Sequence, residues 1–207
     1  MAGFLGRELG LGEQERELLA FGFQVLALSL VGFLVALAAG LLAGNLPGAF
    51  LCALVIGSLR VLGGGAHARH PGHCLVFAFA FFFLASLFSA RVSPLLGTFL
   101  LFLSASTWLW VFSLALSRVP LEPPGKPPLG EARRRALRRT FFLLLAFWGG
   151  ILFWFSIRAG GGHPGAGERA GAIISGLLWT GLLLSPRGGV LLARLEEAVF
   201  RKGGDKA

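Results

Sequence analysis

Long runs of apolar residues alternate with short polar segments along the whole chain. A helix needs about 20 mainly apolar residues to cross the hydrocarbon core of a bilayer. Six runs approach this length, at roughly 20–43, 48–64, 74–90, 94–117, 140–157 and 170–185. None shows the strict alternation typical of a membrane barrel strand. Since lipid-exposed backbone must satisfy its own hydrogen bonds, the pattern predicts an all-α, polytopic integral membrane protein with about six membrane-embedded helices.

The segments between and around these runs are polar or rich in proline and glycine. Five prolines within 119–129 forbid a continuous helix there, so we predict a basic cytoplasmic loop over 118–139. Residues 1–19 are a candidate interfacial helix, although four glycines disfavour it, and 186–207 are predicted as a cytoplasmic tail. With no internal repeat or second apolar unit, we expect a single domain over 1–207.

Composition excludes a soluble domain. Only 14% of the 207 residues are charged, against about 25% in soluble proteins, and 55% are hydrophobic. The net charge of +9 would ordinarily suggest nucleic acid as a partner. Here the basic residues are separated by segments that belong in lipid, so we expect the lipid bilayer as a partner and no nucleic acid.

The distribution of Lys and Arg predicts how the chain is oriented in the membrane. With six spans, 16 of the 19 basic residues fall on the side that holds both termini and the 65–73 loop. The other side holds three, Arg91, Arg158 and Arg169. Because cytoplasmic loops carry the excess of positive charge, we expect both termini and the 65–73 loop to be cytoplasmic.

Potentially reactive side chains are concentrated in residues 63–74, with the sequence GGGAHARHPGHC. Ionisable groups at a membrane boundary are costly and therefore indicate function. Cys74 offers a thiol nucleophile, and a nearby His offers the base that such a thiol needs. Spacing alone leaves open which of His67, His70 and His73 is that base.

A base at His67 requires the chain to turn back on itself. Seven residues of straight helix would separate it from Cys74 by about 10.5 Å, beyond the reach of a hydrogen bond, and Pro71-Gly72 suits a turn. Cys74 would then open the third apolar segment, where a helix N-terminus favours a thiolate. The glycines at 63–65 leave backbone N–H groups approachable by an oxyanion. No third residue that orients the His is evident.

Two other interpretations fit the same residues. The pattern His-x2-His-x2-His-Cys could bind zinc, although adjacent His73 and Cys74 do not easily ligate one ion. Alternatively the His are solvated turn residues and Cys74 a small apolar side chain, in a non-catalytic protein or a small transporter subunit. A transporter should carry paired charges inside its spans, and Arg60 is the charge found there. Arg60 either reaches the interface or holds substrate or the catalytic loop.

Several of these residues resemble the signature of a known family. Arg60, residues 64–68 (GGAHA) and Cys74 resemble the accessory gene regulator B (AgrB) family of bacterial membrane cysteine endopeptidases. Seven positions separate the Arg from the His and the His from the Cys. A second match lies after the fourth apolar run, where Pro120 and Lys126-Pro127 precede a run of Arg.

This resemblance implies a defined reaction with no cofactor and no metal. His67 and Cys74 would be the catalytic pair, and the substrate a small autoinducer precursor peptide of a quorum-sensing system. Cys74 would form a thioester acyl-enzyme and release the C-terminal part of the precursor, and an internal Cys or Ser would then close a thiolactone or lactone ring. A bacterial cell membrane location and a homodimer are also implied. We expect substrate contacts from Arg60, Gly64, Gly65, Lys126, Arg133, Arg134 and Arg135.

Overall fold

The computed structural model describes residues 12–64, 71–121 and 130–200, and these ranges are helical apart from short connections, with no strand. Their α-helices are α1 (Glu13–Leu42), α2 (Leu46–Gly63), α3 (Pro71–Leu87), α4 (Phe99–Arg118), α5 (Glu131–Gly160), α6 (Ala166–Leu184) and α7 (Pro186–Phe200). A π-helical turn (Phe88–Val92) and a 3-10 turn (Ser93–Leu96) extend α3. The predicted all-α fold is confirmed.

Four helical stretches are long and apolar enough to cross a membrane: Leu46–Gly63, Gly72–Leu96, Phe99–Arg118 and Glu131–Gly160. Helices α6 and α7 qualify together as a fifth, although they are bent by 91° at their junction, and the apolar stretch Leu26–Leu42 of α1 is shorter. The polytopic membrane architecture is therefore confirmed. Among the described residues it contains four or five qualifying spans, so the predicted number of six is approximate.

Two segments expected to be irregular are helical instead. Helix α5 begins at Glu131, inside the predicted 118–139 loop, because the last proline of that segment is Pro128 and good helix formers follow. The whole described part of the predicted tail, residues 186–200, forms α7, which starts with a proline at its first position. The candidate interfacial helix at 1–19 is continuous with α1 from Glu13 onward, and residues 1–11 lie outside the described ranges.

Helix α6 is the central helix, packed against α2, α4 and α5, while α1 packs on α2 and α3. Its small residues allow this position. A side chain at Gly176 would clash with Val55 of α2, and one at Gly181 would clash with Trp110 of α4. Small residues let membrane helices approach closely, so the short, Gly-rich sixth run forms the middle of the bundle.

A hydrogen bond fixes the end of α2 that carries Arg60. The indole Nε1 of Trp148, on α5, donates to Ser58 Oγ at 2.9 Å. Trp148 is buried and Ser58 lies two residues before Arg60. This contact holds the last turns of α2 against α5 and thereby positions Arg60 relative to the rest of the bundle.

Candidate active site

Cys74 lies on the first turn of α3, as the sequence predicted. The helix starts at Pro71, and proline suits the first helical position because its missing N–H would have no partner there. Cys74 is a half-buried, free cysteine. Its thiol therefore lies at the N-terminal end of a helix, the end that carries the positive partial charge of the helix dipole.

The structure brings Arg60 and Cys74 together. The Arg60 side chain, from α2, lies beside the Cys74 side chain, close enough for the two groups to interact electrostatically. Both line a cleft of about 30 Å³ whose other walls are Phe77, Ala78, Trp179, Leu183 and Leu192. A cleft of this volume has room for a water or two. Among the described residues that line the cleft, the thiol thus has one cationic neighbour, Arg60, and otherwise apolar surroundings.

Three of the predicted site residues lie outside the described ranges. His67 and Gly65 fall within 65–70, together with His70, and Lys126 falls within 122–129. Residues 65–70 join the end of α2 to the start of α3. His67 is therefore tethered within seven residues of both Arg60 and Cys74 along the chain, and its pairing with Cys74 stays a prediction.

Gly64 has a backbone role that differs from the expected oxyanion contact. It ends α2 at φ +73°, where glycine is strongly preferred. A Cβ at this position would lie 2.8 Å from the carbonyl oxygen of Leu121. The Gly64 N–H donates to the Arg60 carbonyl at 3.0 Å, so in this conformation it is not available to an oxyanion. Helix capping and close packing explain this glycine.

The connection that leaves α4 starts beside this same end of α2. The Leu121 N–H donates to the Gly63 carbonyl at 3.0 Å. Leu121, the last described residue before 122–129, therefore lies next to Gly64, the last described residue before 65–70. The predicted substrate-binding loop and the predicted catalytic loop thus share a starting point.

The basic residues at the start of α5 lie on open surface. Arg133, Arg134 and Arg135 are exposed on its first turns. Arg135, Arg138 and Arg139, all exposed, form a shallow patch with Phe142 and Leu143 of the same helix. Arg138 is held in place by a 2.8 Å hydrogen bond from its Nη2 to the Leu116 carbonyl. Sequence reasoning left Arg138 and Arg139 out of the site, although their i, i+3, i+4 spacing from Arg135 places all three on one helix face.

A second contact to the Cys74 region was missed from the sequence. Glu196, on α7, lies with its Oε1 2.6 Å from His73 Nδ1. The Phe200 ring stacks on the His73 ring at a centroid distance of 3.7 Å. Leu192, Glu196 and Phe200 are spaced four residues apart. This spacing is typical of one face of a helix, and it was the sequence pattern from which α7 could have been predicted.

His73 and Cys74 are turned toward different partners, Glu196 and Arg60. Within the ranges that the structure describes, no three His, Cys, Asp or Glu side chains come together as metal ligands. A zinc site would need His67 and His70, which lie outside those ranges.

Comparison with known proteins gives one result. A family model described as accessory gene regulator B matches residues 1–184. No curated protein and no solved structure matches the chain. The family match covers α1 to α6, Arg60, the 65–70 segment and Cys74, and it ends before α7.

Proposed function

The chain belongs to the accessory gene regulator B family, and on that premise we propose that it is a membrane cysteine endopeptidase that processes a small autoinducer precursor peptide. The observation that carries the proposal is the position of Cys74. Its thiol lies on the first turn of α3, beside the Arg60 side chain, in a mainly apolar cleft between α2, α3, α6 and α7. A thiol with a cationic neighbour suits a nucleophile.

The proposed reaction has two acyl-transfer steps. The Cys74 thiolate attacks the scissile carbonyl, the tetrahedral intermediate collapses to a thioester, and the amine of the C-terminal fragment leaves with a proton from His67. An internal Cys or Ser of the precursor then gives its proton to His67 and attacks the thioester. This closes a thiolactone or lactone ring and releases the Cys74 thiolate. The acyl group passes directly from the thioester to the ring, without hydrolysis.

We assign Arg60 to charge stabilisation at the sulfur. Its guanidinium carries five N–H donors in a fixed fork and already contacts the Cys74 side chain. One such group can hold the thiolate before attack and the oxyanion afterwards. This assignment replaces the Gly64 N–H, which is bonded to the Arg60 carbonyl.

The apolar walls of the cleft favour ring closure over hydrolysis. Phe77, Trp179 and Leu183 surround the thiol, and the cleft holds at most a water or two. Excluding water protects a reactive acyl intermediate. Because so small a cleft cannot admit a peptide, the proposal also requires that one of its walls move when the precursor binds.

We further propose that the site faces the cytoplasm of a bacterial cell. The bias of basic residues supports this orientation. A thiol on this side stays reduced, and newly made precursor is present there.

The function is tested with the protein reconstituted in liposomes. The probe is the peptide encoded by a small open reading frame beside the gene, recognised by an internal Cys or Ser and an acidic C-terminal tail. We expect mass spectrometry to detect the released tail, and we expect a maleimide but not a chelator to stop its release. Inhibition by chelator alone would favour a zinc peptidase instead. Absence of cleavage in co-expressing cells as well would favour a non-catalytic membrane protein.

Charge reversal of Arg133, Arg134 and Arg135 to Glu should raise the KM for the precursor about tenfold or more, and more so at low salt. These exposed arginines share an open basic surface with Arg138 and Arg139, where an acidic tail would form ion pairs, each worth up to about 1 kcal/mol at a surface. The measurement is KM as a function of ionic strength.

The matched control for this prediction replaces the same three arginines by lysine, which keeps the charge and should keep KM within about threefold of wild type. A precursor without its acidic tail should be insensitive to the reversal. An unchanged KM for the intact precursor would indicate that these arginines act only in membrane topology and in contacts with lipid headgroups.

A further inference from the structure

Helix α7 returns across the Cys74 site after a sharp turn. It leaves α6 at an angle of 91°, and the edge that it buries carries Gly188, Leu192 and Glu196. Leu192 lines the same cleft as Arg60 and Cys74. Its outward side exposes Val190, Leu191, Leu195 and Val199, an apolar set that suits a helix lying in the membrane interface.

Two contacts join the end of α7 to the first turn of α3. Glu196 Oε1 lies 2.6 Å from His73 Nδ1, and the Glu196 side chain is only 8% exposed. The Phe200 ring stacks on His73 within 9° of parallel and meets the Phe77 ring edge-on, with centroids 6.0 Å apart. His73 is therefore held between a carboxylate and an aromatic ring.

The buried position of Glu196 indicates that this residue has a structural or functional role. A carboxylate withdrawn from water costs free energy unless it is hydrogen-bonded, and its neighbour Glu197 on the same helix stays exposed. The residue that Glu196 holds directly precedes Cys74 in the chain. A contact on His73 thus fixes the backbone turn from which the thiol projects toward Arg60.

We propose that Glu196 is a positioning residue of the Cys74 site, acting through His73. Its carboxylate fixes His73 and the first turn of α3, so that the Cys74 sulfur faces Arg60 inside a cleft closed by Leu192. The proposal rests on the proposed peptidase function for its kinetic consequence. It concerns α7, which lies beyond the residues 1–184 that the family model matches.

The kinetic test compares Glu196→Ala with wild type. We expect kcat for precursor cleavage to fall about 10- to 100-fold, the cost of a displacement of about 1 Å at a reacting group, with KM within about threefold of wild type. Glu196→Gln, whose amide oxygen can still accept from the His73 ring, should recover part of the loss. Glu197→Gln, which changes the charge of the same helix at an exposed position, should leave kcat unchanged.

A double-mutant cycle tests whether Glu196 acts through His73. His73→Ala should lower kcat as much as Glu196→Ala, and the double variant should lose no more than either single variant. Additive losses would overturn the proposal, as would a full loss in Glu197→Gln.

A second readout does not depend on peptidase activity. The chain has two cysteines, and Cys52 is fully buried between α1, α2 and α3, whereas Cys74 is half-buried. In Glu196→Ala we expect peptide-resolved mass spectrometry to show Cys74 alkylated severalfold faster by a maleimide, with Cys52 as protected as in wild type. An unchanged Cys74 rate would overturn the proposal. So would equal acceleration of both cysteines, because that result indicates a loss of global structure.

The two readouts separate this proposal from the proposed function. If the wild-type protein cleaves no precursor, the peptidase function fails, and the alkylation rates alone decide whether Glu196 holds the Cys74 turn.

Discussion

Replacing Cys74 by alanine is expected to abolish precursor cleavage, with kcat falling by about four orders of magnitude or more. The reason is chemical, since the described residues that line the cleft include no second nucleophile: besides Cys74 they are Arg60 and apolar side chains. The measurement is release of the C-terminal fragment from protein in liposomes. For the wild type, mass spectrometry of the Cys74 peptide should also show the mass of the attached N-terminal fragment. That adduct should be cleaved by hydroxylamine, as a thioester is.

The second cysteine provides the matched control. Cys52 is fully buried and packs in the cluster that joins α1, α2 and α3. Cys52→Ala removes one buried sulfur, so we expect a lower thermal stability with kcat near that of wild type. Cleavage that survives in Cys74→Ala, or an acyl adduct found on Cys52, would refute the assignment of the nucleophile.

The fold could be predicted from the lengths of the apolar runs, because every membrane-spanning helix needs about 20 mainly apolar residues. The contacts between the helices were harder to predict from the sequence. The run at 170–185 is short and Gly-rich, and by apolarity alone it is the weakest candidate span, yet it forms the central helix α6. Gly176 and Gly181 explain the difference, since they let α2 and α4 approach where larger side chains would clash. Close approach between helices depends on which residues face each other, and a single sequence does not give that pairing.

The helical segments that were not predicted contain many charged residues. A search for long apolar runs therefore does not detect them. The first turns of α5 carry Arg133, Arg134 and Arg135, and α7 carries Arg187, Arg194 and two glutamates. Proline lies three residues before the start of α5 and at the start of α7, and the proline-rich context favoured an irregular segment. Helical spacing was a better basis for predicting α7, because Leu192, Glu196 and Phe200 share one helix face.

The candidate site was only partly predictable for a related reason. The spacing of Arg60, His67 and Cys74 selected one stretch of chain, and the structure places Arg60 and Cys74 in one cleft there, since the two ends of a short loop between adjacent helices are close together. The contact between Glu196 and His73 spans 123 positions. Nothing in residues 63–74 indicates such a partner, and only the 91° turn between α6 and α7 brings it there.

Replacing His67 by alanine is expected to lower kcat by about two to four orders of magnitude, the usual contribution of a general base and acid. The thiol and Arg60 would remain, but protonation of the leaving amine would fail. Cleavage is measured in liposomes as for Cys74→Ala. His163→Ala is the control, because His163 is exposed in the α5–α6 connection, and it should retain wild-type kcat.

Chemical rescue distinguishes His67 from the other two histidines of the loop. Imidazole added to His67→Ala should restore part of kcat, because a small base can replace a missing proton carrier. It should not restore His73→Ala, where the defect is the placement of the α3 turn by Glu196. His70→Ala should behave as wild type. If imidazole instead rescued His70→Ala or His73→Ala while His67→Ala remained fully active, the base would have to be reassigned, and the seven-residue spacing between His67 and Cys74 would lose its functional meaning.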